Sequence, residues 1–78
     1  MKYILTKNGT LYAYDAEKTG FTFVFKQNKW RVAEVVYGAL INEEGNQIIT
    51  ETEANQKANG ISIETALNKV KDIMGLSI

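Results

Sequence analysis

Phe21-Thr22-Phe23-Val24-Phe25-Lys26 is the stretch that most restricts how this chain can fold. Phenylalanines alternate there with Thr22, Val24 and Lys26, the period-two pattern of a strand with one buried side. Three phenylalanines on one side need an apolar cover, and the end of the chain offers one. Ile63, Ala66, Leu67, Val70, Ile73 and Met74 recur at helical spacing as a single stripe. Ser62 precedes the stripe as an N-cap, and Gly75 follows it as a stop onto which Leu76 can fold. The expected frame is therefore a sheet closed by one helix over 62–74.

Further strands gather around that frame. Lys2–Thr6 and Thr10–Asp15 flank Lys7-Asn8-Gly9, and an Asn-Gly step between two short apolar runs signals a hairpin. In the second run Leu11 and Ala13 share one side, Tyr12 and Tyr14 the other. Gln27-Asn28-Lys29 reads as another tight turn, leading into residues 30–41. Two patterns compete in that stretch. Helical spacing aligns Ala33, Val36, Tyr37, Leu40 and Ile41, whereas three valines, the aromatics and Gly38 favour a strand. The strand is the expected form and a helix over 30–41 the runner-up. A strand puts Trp30 and Val32 on the phenylalanine side, and it drives Glu34 inward unless a bulge resets the phase.

Asn42-Glu43-Glu44-Gly45-Asn46 is a turn, and Gln47–Thr52 reads as a weak edge strand. Thr50 and Glu53 also have capping-box spacing, so residues 51–59 have a short helix ending at Gly60 as an alternative. The expected fold class is α+β. It is a four- to five-stranded antiparallel, meander-like sheet with one C-terminal amphipathic helix packed on one face, in a single domain over 1–78.

Composition narrows the chemistry. The chain has no Cys and no His, hence no disulfide, no thiolate or imidazole metal site and no imidazole base. The adjacent Glu43 and Glu44 read as a solvated turn tip, and the 42–46 segment lacks the spaced acidic ligands of a calcium loop. No phosphate loop is present, because the six glycines are scattered among turns and caps. Neither catalysis nor a metal nor a cofactor is expected. No apolar run approaches the roughly 7–15 residues of a signal peptide or the ~20 of a membrane span, so a cytoplasmic location without membrane contact is expected.

Formal net charge is zero, but its distribution is uneven. Residues 1–31 carry Lys2, Lys7, Lys18, Lys26, Lys29 and Arg31 against Asp15 and Glu17. Residues 32–56 carry Glu34, Glu43, Glu44, Glu51 and Glu53 with no base. The bland reading pairs the two sets across strands; the functional one makes a molecule with a positive and a negative side. Eight Lys against one Arg, with seven Asn and eight Ile, is the coding bias of AT-rich genomes, as in small accessory proteins of bacteria or mobile elements.

If the terminal helix covers the phenylalanine side, Tyr12, Tyr14 and Val24 stand on the other. That side would show more apolar area than a monomer normally does. The expected function is a small protein-interaction module of the regulator or inhibitor type, assembled as a homodimer and binding a partner protein. Its candidate surface comprises Tyr12, Tyr14, Val24, Lys26 and Arg31 with Glu43, Glu44, Glu51 and Glu53. The alternative is a single-stranded nucleic-acid binder, with the tyrosines as stacking platforms beside Lys and Arg.

Overall fold

Two tight turns and one loop wound around a buried carboxylate fold the first 33 residues into four consecutive antiparallel strands. The computed structural model describes residues 1–74. Strands β1 (Lys2–Leu5) and β2 (Leu11–Tyr14) are joined at Gly9, whose positive φ suits a residue without Cβ and whose N–H donates to the Thr6 carbonyl at 2.9 Å. Strands β3 (Thr22–Lys26) and β4 (Lys29–Ala33) are joined by Gln27 and Asn28 alone. Their φ angles of 52° and 60° make this the twist-matched two-residue turn of hairpins. Between β2 and β3, Asp15 accepts hydrogen bonds from the Lys18 and Thr19 amides and from the Thr19 hydroxyl, which closes the 16–20 loop.

The fifth strand does not continue the meander. β5 (Gln47–Ile49) pairs with β1, giving the order β4-β3-β2-β1-β5. The chain leaving β4 must therefore cross four strand spacings, about 19 Å, to reach the far edge. Helix α1 (Tyr37–Asn42) rides this crossing. Both readings of residues 30–41 thus apply in turn, strand to Ala33 and helix from Tyr37. Ending the strand at Ala33 leaves Glu34 exposed, and no bulge is needed to keep it out of the core.

After β5 the chain turns onto the first face of the sheet. The capping box forms as its spacing indicates: Thr50 Oγ1 accepts from the Glu53 amide, and the Glu53 carboxylate accepts from the Thr50 amide. Helix α2 (Glu51–Lys57) follows, so the weak strand stops at Ile49. The Gly60 amide donates to the Asn55 carbonyl and the Asn59 amide to that of Gln56, with Asn59 at φ 55°. This paired ending turns the chain sharply toward α3. Helix α3 (Glu64–Met74) starts two residues later than expected, and the Ser62 hydroxyl still accepts from the Glu64 amide. The side chains of Ile73 and Met74, and the expected ending at Gly75 and Leu76, lie outside the described residues.

The register sorts side chains cleanly. Ile49, Tyr3, Ala13, Phe23 and Val32 form one row on the first face, and Leu5, Leu11, Phe25 and Trp30 lie beside it. Ala54 and Ala58 from α2 and Ile63, Leu67 and Val70 from α3 complete the core on that face. The C-terminal helix therefore packs where the alternation requires. Two of the three phenylalanines serve it: Phe23 is fully buried and Phe25 packs against the cluster. Phe21 precedes the first residue of β3 and is 38% exposed, which corrects the expected three-ring row.

Candidate functional site

The second face carries Ile48, Ile4, Tyr12, Val24 and Arg31 in one register row, and Lys2, Tyr14, Thr22 and Ala33 in the next. It was expected to be uncovered; α1 covers much of it. Tyr37 of α1 stacks on Tyr14 with ring centroids 4.5 Å apart. Leu40 is buried, and with Ile4 and Val24 it is absent from the core of the first face, as a second, smaller core requires. Asn46 ties the end of the helix down: its Nδ2 donates to the Leu40 carbonyl at 2.9 Å, while its Oδ1 accepts from the Lys7 amide.

This corrects the candidate surface. Val24, only 8% exposed, is a core residue rather than a contact residue, because the crossing chain between β4 and β5 roofs it. Tyr12 and Tyr14 are half-buried, and one face of the Tyr14 ring is already occupied. The sequence-based grounds for a homodimer through this face and for a base-stacking platform both lay in its being uncovered. The Tyr37 hydroxyl is buried with no hydrogen-bond partner among the described residues.

The acidic residues are not gathered into one site. Glu43 follows α1 and meets Lys7 at 3.7 Å with both side chains exposed, a surface pair of small energetic value. It is the one ion pair among the described residues, so the two charged segments do not pair broadly. Glu44 is exposed in the following turn. Glu51 and Glu53 lie in the first turn of α2, where Glu53 is engaged in the capping box and both favour the helix N-terminus. Glu51 and Glu64 lie close enough to Tyr3 to reinforce burial, the main cause that raises its hydroxyl pKa. No group of three or more carboxylates converges on a cation position among the described residues.

Lys26 and Arg31 are brought together with residues the sequence did not single out. Both are exposed, and Lys26 is paired with Lys29 across the β3–β4 turn. Among the described residues β4 has a neighbour on one side only, so its outer backbone edge is unpaired there. In a two-residue hairpin the closing pair is the hydrogen-bonded one, and bonded and non-bonded pairs alternate from there. Lys29, Arg31 and Ala33 thus direct their amides and carbonyls toward β3, and Trp30 and Val32 direct theirs outward.

The strand is also two-sided in chemistry. Trp30 and the 49% exposed Val32 lie on the first face; Lys29 and Arg31 lie on the second. A cleft flanks each end. One, of about 310 Å³, lies between Trp30, Ile61, Ala66 and Lys69, and its wall is held by Trp30 Nε1 donating to the Ile61 carbonyl at 3.1 Å. The other, of about 350 Å³, lies among Tyr14, Phe21, Ala33, Val36 and Tyr37, with Val36 74% exposed at its rim. Only the hairpin signal in 21–33 was legible in advance, because a strand becomes an edge through the order of the whole sheet.

Comparison with protein-family models, with curated proteins and with solved structures returned no match. The architecture among the described residues is α+β, with a five-stranded antiparallel sheet and helices on both faces. No described helix is long and apolar enough to cross a membrane.

Proposed function

We propose that this chain is a small cytoplasmic protein-interaction module of the regulator or inhibitor type, with no catalysis of its own, that binds a partner protein along β4. The observation that carries this reading is the backbone edge of a five-residue strand, unpaired among the described residues, beside the exposed Val32 and between two clefts. An edge of this kind offers main-chain hydrogen bonds to an added strand, and flanking pockets supply selectivity. Folded proteins usually shorten, cover or charge such an edge; this one is charged on one face and apolar on the other.

Capture from the source cell with the native chain and with Val32→Pro tests the assignment. Proline at an edge position whose amide points away from its neighbour removes that donor and leaves the β3–β4 pairing intact. A partner held by the native chain and lost by the variant supports binding at β4. A partner held equally by both overturns it.

A further inference from the structure

The two faces of β4 restrict what can be added to it. We infer that the segment received along β4 is an extended peptide in which acidic and apolar residues alternate, the acidic ones facing Lys29 and Arg31 and the apolar ones facing Trp30 and Val32. This inference rests on the proposal that β4 is the binding edge, and it adds the chemistry of the occupant.

Residues directly opposite on neighbouring strands share a face, so an added strand inherits the two-sidedness of β4. On one face it meets Lys29 and Arg31, with Lys26 one strand further in, and no ion pair engages these three among the described residues. The Arg31 guanidinium donates to the Gln27 side-chain carbonyl, a neutral acceptor that a carboxylate can replace with a stronger, charge-assisted partner. On the other face the added strand meets Val32 and the Trp30 edge, where apolar side chains exclude water. Lys69 extends the positive charge to the cleft beside Trp30, while Glu34 lies just beyond the last residue of β4.

The same charges argue against a second copy. Two β4 strands related by a two-fold axis would bring the Lys29 and Arg31 sets of both copies onto one joined edge, and like charges in that position repel.

Trp30 is the single tryptophan of the chain and lies in the proposed contact, so its fluorescence reports binding directly. Three synthetic peptides of equal length serve as probes: alternating Glu/Val, alternating Thr/Val and alternating Lys/Val. The Glu/Val peptide is expected to shift the Trp30 emission and to bind roughly tenfold more tightly than Thr/Val, with the advantage shrinking as salt is raised. The Lys/Val peptide is expected to bind most weakly. Lys29→Glu with Arg31→Glu should invert that order, and Val32→Pro should abolish binding of all three while the circular dichroism stays native.

Equal, salt-insensitive binding of Glu/Val and Thr/Val overturns the acidic preference and leaves the edge proposal standing. Failure of all three peptides to bind overturns both. Self-association in sedimentation that Val32→Pro abolishes would assign the edge to a second copy and also overturn the inference.

Discussion

The two faces of this sheet are covered by different means. The first is covered by two helices, α2 and α3, whose buried residues interlock with Tyr3, Leu11, Ala13 and Phe23 in one continuous core. The second is covered by the six-residue α1 within a crossing connection, which contributes one buried side chain, Leu40, and one aromatic stack. A helix of that length is not stable alone. It holds its place through Leu40, Tyr37 and the Asn46 bridge to the first hairpin. A helix covering an extended sheet need not be amphipathic over many turns when topology already forces the chain across the face.

The better-covered face should be the more costly to break. Phe23→Ala removes a fully buried ring and should cost about 3–5 kcal/mol, read as a large drop in the urea midpoint or as loss of the folded state. Leu40→Ala acts on the other face. It should cost less, about 2–3 kcal/mol, and show a local signature. Hydrogen exchange should accelerate over residues 37–46 and stay slow in β1–β3; equal acceleration everywhere would mean that the two faces unfold as one.

Asp15 belongs to neither layer and tests the loop that joins β2 to β3. Burial pushes its carboxyl upward, but the hydrogen bonds from the Thr19 amide and hydroxyl and from the Lys18 and Glu17 amides together outweigh this and hold its pKa below the usual value. A depressed folded-state pKa contributes stability that is complete above the unfolded value of about 4 and is lost as pH falls through the folded one. Asp15→Ala should cost about 1–2 kcal/mol at neutral pH and flatten the acid limb of the stability profile, measured by urea titration across pH.

The smallest effect concerns the hairpin that presents β4. Gln27→Asn with Asn28→Gly supplies the residues preferred where both φ angles are positive. It should stabilise by about 1 kcal/mol, raising Tm by roughly 4–8 °C while keeping the β3–β4 register. An unchanged Tm would show that the two side-chain hydrogen bonds this variant disturbs, Asn59 to Asn28 and Arg31 to Gln27, offset the gain.

Much of the scaffold was legible. The alternation in 21–26 identified β3, the Asn-Gly step placed the first hairpin, and Thr50 with Glu53 marked the start of α2 as the alternative to a longer strand. The candidate site was far less so. Tyr12, Tyr14 and Val24 do share a face, as their spacing indicates, but exposure depends on what crosses that face. Phe21 satisfied the period, and its carbonyl accepts from the Asp15 amide, yet it precedes β3 at the end of the ladder and stays 38% exposed. Of the proposed contact residues, Lys26 and Arg31 were singled out by charge, whereas Trp30, Val32 and Lys29 gained their role from lying on the last strand of the sheet.

Turns, caps and alternation were determined by the sequence itself, since each depends on interactions among residues a few positions apart. The partner of β5 was decided by tertiary structure alone. Pairing Ile49 with Tyr3 instead of extending from β4 joins residues far apart in the chain, a choice no short-range signal can make. From that one pairing follow the path of α1, the roof over Val24 and the free edge at β4.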